Sequence, residues 1–183
     1  MLQYFPTPYP DELWYSVMCR YYIRSGSETL LTMKNRSQFP IQLFFPDRSI
    51  VEIVKLLPEG MFSVKDIAIN HTLFPYFSRM YTRERKQELL KHLYSSTMEN
   101  SNPEWRVIAR TMPKLKYCPE CIKDNQRQYG ESYWHREHQI PYMSICRKHG
   151  CRLKEYSCKL RREFTEGPIL PEFITDKTET EYF

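Results

Sequence analysis

Four residues limit what this chain can fold into. Cys118 and Cys121 are separated by two residues, 24 residues intervene, and Cys146 and His149 then repeat the spacing. Two such knuckles can bring three thiolates and one imidazole around a single tetrahedral ion, and that sulfur–nitrogen donor set suits zinc. Pro119 stiffens the first turn, and Gly150 permits a tight backbone after the second. Side chains fill all four positions, so none is left for a substrate or an attacking water. The site reads as closed and structural, holding one Zn2+. His135 and His138, between the knuckles, are spare ligands should His149 not serve.

The other cysteines fit a plainer role. Cys19 lies on the apolar side of a helical pattern, and Cys151 and Cys158 lack a paired spacing. All three read as small buried hydrophobes. A redox C-x-x-C expects a βαβ setting, which this sequence lacks. His135-Arg136-Glu137 has the H-x-E form that zinc deaminases use. Only eight residues separate Glu137 from Cys146, no proline precedes the Cys–His pair, and the upstream C-x-x-C would go unused. There is no H-E-x-x-H, and five glycines in all supply no phosphate loop. No catalytic residue is expected, and His71 and His92 read as packing or surface groups.

The charge is uneven. Residues 61–117 carry ten basic against five acidic groups and residues 118–165 ten against six, whereas residues 166–183 carry one against five. A basic middle fits DNA or an acidic partner. Its clearest concentrations are Arg83, Arg85 and Lys86, and Arg147 and Lys148 beside the last ligand. No run of about 18 apolar residues suggests a membrane span. Six cysteines, three of them in a metal-like quartet with His149, without a secretory signal pattern, point to a reducing cytoplasm.

Along the chain, three prolines between Phe5 and Pro10 impose an extended lead-in. Pro10 and Asp11 are expected to open a helix with Leu13, Trp14, Val17, Met18 and Tyr21 on one face. Gly26 ends it, and a second helix follows over about residues 28–35, a helix-turn-helix-like pattern. Further helices are expected from Asp47 or Ser49 to Leu57, from Ser63 to Asn70 and from Thr82 to Tyr94. Pro75 is expected to break the aromatic run around Phe74. Residues 104–117 fit either a short helix or an extended segment. Ile122 to Tyr129 fits a helix ended by Gly130, Glu131 to Tyr142 an extended segment, and Arg152 to Tyr156 a strand. Tyr129, Tyr133 and Trp134 are expected to pack around the metal. The fold class is thus mainly α with a small zinc-finger, zinc-ribbon-like module. Three units are expected: a helical region over 1–116, a zinc-finger module over 117–165, and an acidic linker or tail over 166–183.

Several ordered motifs resemble the TnsD/TniQ family of transposon target-selection proteins. They are Phe5-Pro-x-Pro-Tyr-Pro-Asp-Glu-Leu13, Arg20-Tyr-Tyr-Ile-Arg-Ser-Gly26, His71-Thr-Leu-Phe-Pro75 and Tyr117-Cys-Pro-Glu-Cys121. Tyr129-Gly-Glu-Ser-Tyr-Trp-His-Arg136, Cys146-Arg-Lys-His-Gly150 and Leu153 continue the likeness. The resemblance implies an adaptor and not an enzyme. Such an adaptor marks an insertion site on target DNA, or on a CRISPR RNA-guided complex, and recruits the AAA+ ATPase TnsC, which licenses the transposase. It also implies zinc on Cys118, Cys121, Cys146 and His149, and work at the bacterial nucleoid. Arg147 stands where the family often has proline. TnsD-like members are usually longer, so the chain is expected to be a short member or an N-terminal piece. The alternative from the residues alone is a zinc-finger transcription regulator.

Overall fold

Helix α1 (Trp14–Ser25) is buried along eight consecutive residues, Trp14 to Tyr21. The structure is a computed structural model that describes residues 4–25, 44–95, 103–110, 112, 114–157 and 169–175. Burial on every side explains how polar residues come to lie within α1. Ser16 turns its hydroxyl to the Trp134 backbone N–H at 3.1 Å. Arg20 donates to Glu12 at 2.8 Å and to Glu131 at 2.7 Å, with its guanidinium 3.7 Å from the Tyr9 ring centre. A buried guanidinium needs both carboxylates, because an unpaired charge in the interior is costly.

Asp11 and Glu12 do not serve the α1 dipole, which begins at Trp14. Asp11 adopts φ 57°, and its carboxylate accepts from the Glu137 N–H at 2.9 Å and from Arg136 Nε at 3.1 Å. It caps a 3-10 turn (Glu137–Gln139) more than a hundred residues away. Glu12 bridges to His135 and faces Arg20.

The next elements follow their cap residues. Asp47 accepts from the Ser49 N–H and starts α2 (Arg48–Leu56); Ser63 accepts from the Asp66 N–H and starts α3 (Val64–Asn70). Pro75 does not break structure at Phe74. It sits in the first turn of α4 (Phe74–Phe77), where its missing N–H costs nothing. Thr82 caps α5 (Arg83–Ser95), whose Leu89 and Leu93 face the core. Residues 104–117 resolve into both of their alternatives in succession, α6 (Pro103–Arg110) and then strand β1 (Lys114–Tyr117). Helix α7 (Pro119–Tyr129) ends at Gly130, whose φ of 77° suits a residue without a Cβ. Strand β2 (Lys154–Ser157) pairs antiparallel with β1, Lys114 opposite Ser157 and Tyr117 opposite Lys154. The turn at Gly26, the helix expected over 28–35 and Cys158 lie outside the described residues.

A further expectation needs correction. The segment Glu131 to Tyr142 is extended only as far as His135 and then turns. The main apolar cluster draws residues from both sides of residue 116. Leu115, Tyr117, Ile122 and Trp134 share a cluster with α1, α2 and α3. Within the stretch expected to be a linker, a short helix α8 (Glu172–Thr175) buries Ile174 in that cluster, as does Leu170 before it. The Glu172 carboxylate accepts from the Ser132 N–H, and its own N–H returns a bond to Ser132 Oγ. The acidic composition of the tail conceals this local run of apolar residues, Ile169, Leu170, Phe173 and Ile174.

Candidate metal centre

The two knuckles converge. Cys118 is the N-cap of α7, and its sulfur accepts from the Cys121 N–H at 3.4 Å, which turns both sulfurs to the same side. The second knuckle is a closed loop. The Cys146 N–H donates to the Cys151 carbonyl at 2.8 Å, the Gly150 N–H to the Cys146 carbonyl at 2.8 Å, and the Leu153 N–H to the Ser144 carbonyl at 2.8 Å. Gly150, at φ 66°, supplies the left-handed residue that closes it.

The result is a cluster in which Cys118, Cys121, Cys146 and His149 hold their donor atoms within 4.8 Å of one another. His149 Nδ1 lies 3.4 Å from Cys118 Sγ, 3.3 Å from Cys121 Sγ and 3.7 Å from Cys146 Sγ, and the Cys121 and Cys146 sulfurs are 3.7 Å apart. Tetrahedral zinc bound at about 2.3 Å by sulfur and about 2.0 Å by nitrogen separates its donors by roughly 3.5–3.8 Å. The donor set and its spacing therefore fit such an ion. Electrostatics agree. Burial pushes the Cys118 thiol up to about 12, and burial with the neighbouring Cys118 pushes Cys121 up as well. Burial also disfavours the Cys146 thiolate, but backbone N–H groups of His149 and Lys148 help to bring its thiol below the ordinary range. A divalent cation is the counter-charge that would make all three thiolates favourable.

The outer partners of the cluster escaped sequence reasoning. Asp124, on α7 three residues after Cys121, accepts from His149 Nε2 at 3.0 Å and so directs Nδ1 inward. Lys148 also bonds Asp124, and Arg127 donates to its other oxygen at 2.7 Å. The Lys148 and His149 hydrogen bonds pull the Asp124 carboxyl down to about 2. The signal in the sequence was helical spacing alone: i and i+3 share a face.

His135 and His138 are placed elsewhere. His135 Nε2 meets Asn125 at 2.9 Å, and His138 Nε2 stands 3.9 Å from Cys121 Sγ, behind the ligand. Burial drives both rings down to about 4, so they are neutral. Glu137 pairs with Arg147 at 3.0 Å instead of facing the cluster. The aromatic residues are displaced as well. Leu153, Met143 and Cys151 surround the thiols, whereas Trp134 is the plug of the main core. It stands edge-on to Tyr117, and its Nε1 donates to the Ile169 carbonyl at 2.8 Å. Tyr129 and Tyr133 pack on Tyr9.

Among the basic candidates, Arg83 is exposed, Arg85 pairs with Glu88 and Lys86 is half-buried on α5. Arg147 and Lys148 are exposed on the second knuckle and engage Glu137 and Asp124.

Residues 3–153, which include all four clustered donors, match the TniQ family. The chain belongs to the TniQ family. The TniQ match ends at Leu153, which packs against the thiols. The chain is also similar to "Transposon Tn7 transposition protein TnsD" of Escherichia coli, 27% identical over 153 residues. That similarity takes in 80% of this chain and 30% of the relative, so the chain matches under a third of that protein's length. Among the described residues no helix is long and apolar enough to cross a membrane.

Proposed function

We propose that this TniQ chain is a target-selection adaptor in DNA transposition. The observation that carries the reading is the family match over residues 3–153, with the four-donor cluster inside it. One Zn2+ held by Cys118, Cys121, Cys146 and His149 would tie the start of α7 to the second knuckle. With four protein donors and no open position, the ion supplies a cross-link and no chemistry on a substrate. His149 is aimed by Asp124, and Lys148 and Arg127 hold that carboxylate in turn.

In this reading the adaptor does no bond-making of its own. It presents rigid surfaces that recruit the AAA+ ATPase TnsC to target DNA or to a CRISPR guide complex, and through TnsC it acts on the transposase. Arg83, Arg85 and Lys86 on α5, and Arg147 and Lys148 on the second knuckle, are the cationic groups proposed to meet DNA or an acidic partner surface. Exposed guanidinium and ammonium groups suit phosphate contact, and binding through them weakens steeply with salt. The similarity to a transposition protein, of which this chain matches 30%, supports a role in transposition.

The test is co-sedimentation of the full chain with TnsC in the presence of ATP and target DNA. Association that weakens on charge reversal at Arg83, Arg85 and Lys86, with the circular dichroism spectrum unchanged, is the expected result. Absence of association overturns the adaptor reading for this chain. Association indifferent to the reversal removes those three residues from the proposal.

A further inference from the structure

We propose that Cys151 is an exchangeable fifth ligand of the metal centre, able to replace Cys118 around the ion. The proposal rests on the reading of the cluster as a zinc site. Its own observation is a distance: Cys151 Sγ lies 3.2 Å from Cys118 Sγ, closer than the 3.7 Å between the Cys121 and Cys146 sulfurs. A four-coordinate ion has room for one sulfur of this pair, and the two come from different segments of the chain. Cys118 comes from the N-cap of α7, whereas Cys151 immediately follows Gly150 on the second knuckle.

The backbone holds Cys151 ready. Its carbonyl accepts the N–H of the ligand residue Cys146 at 2.8 Å, so its Cα is fixed to the knuckle, and the side chain is half-buried against the thiols. Substitution of one thiolate by another leaves the donor set at three sulfurs and one nitrogen and leaves its net charge unchanged. The exchange needs no oxidant. The metal–sulfur bond to Cys118 breaks, the bond to Cys151 forms, and the Cys151 proton passes to Cys118. His138 is the contrasting neighbour. It lies behind Cys121 at 3.9 Å, and its entry would exchange a charged donor for a neutral one.

The test compares the full chain with C151S, C118S and the C118S/C151S double variant, under a non-thiol reductant. Zn2+ content and Co2+ titration are the readouts, because cobalt's charge-transfer absorption reports the number of bound thiolates. Wild type and C151S should each bind about one equivalent with a three-sulfur spectrum. C118S should keep that spectrum, whereas the double variant should weaken Co2+ binding by more than about 100-fold, beyond the effect of losing an outer partner. Equal binding by C118S and the double variant overturns the proposal, as does failure of C118S to bind. Absence of metal from wild type would instead overturn the zinc reading itself. A measurement on the unmutated chain avoids any folding defect. After limited alkylation of the Zn2+-loaded protein, the singly labelled fraction that retains metal should carry the label on Cys118 in some molecules and on Cys151 in others. Label on Cys151 alone would show a bystander and overturn the exchange.

Discussion

Asp124 shows how a ligand depends on a residue that does not touch the metal. Its oxygen receives His149 Nε2 at 3.0 Å, which leaves Nδ1 as the donor facing the three sulfurs. Asp124→Ala should therefore weaken zinc binding by about 10–100-fold while the zinc-saturated fold persists. Competition against a chromophoric chelator would measure it, and an unchanged affinity would remove Asp124 from the centre. Glu12 carries a different single-residue consequence. Burial raises its carboxyl to about 7 from an ordinary 4.5, although Arg20 and the Tyr9 N–H pull it back. Because the folded value is the higher one, the stabilisation is fully present below about pH 4.5 and is lost as pH rises through about 7. Glu12→Gln stays neutral throughout. Between pH 5 and 8 the wild type should therefore lose on the order of 2 kcal/mol relative to Glu12→Gln. Paired urea denaturations at the two pH values would check it, and a pH-independent difference would contradict it.

At the scale of elements, local chemistry was legible and partnership was not. The caps at Asp47 and Ser63, the C-terminal Gly130 and the Thr82 start of α5 are short-range signals, and each appears in the structure where its residue type demands. The four clustered donors were legible for the same reason, since C-x-x-C and C-x-x-H are local spacings. Asp11 was misread because its acidity suits the nearest helix, yet its positive φ turns the carboxylate to the Glu137 N–H. Trp134 was expected at the metal because so small a module lacks apolar bulk of its own. A fully buried indole instead went to the larger apolar cluster, where its N–H finds the Ile169 carbonyl. Ile169 and Leu170 were hidden inside an acidic stretch whose average composition resembles a linker. Asp124 and Cys151 each needed the fold to bring two knuckles together before either had a partner.

For the whole molecule, the decisive fact is that the main apolar cluster draws residues from both the helical half and the metal-binding half, while the thiols keep a small cluster of their own with Leu153. The Leu13 N–H donates to the Trp134 carbonyl at 2.8 Å, the Trp134 N–H donates to Ser16 Oγ, and Arg20 reaches Glu131. These bonds run between α1 and the segment linking the two knuckles, around an indole with no solvent exposure. Zinc can tie the knuckles to each other, but it cannot replace the apolar surface that α1 contributes, so residues 114–157 should not form a rigid fold alone even with zinc added. Trp134→Ala tests this in the full chain. Losing a buried indole costs about 3–5 kcal/mol, and the loss should be felt on both sides of residue 116. Hydrogen exchange should rise together in α1 and α7, and thermal unfolding should remain one transition at a lower midpoint. If α1 kept its protection while α7 alone lost it, the two halves would be separate folding units, and the helical region could be studied without its metal centre.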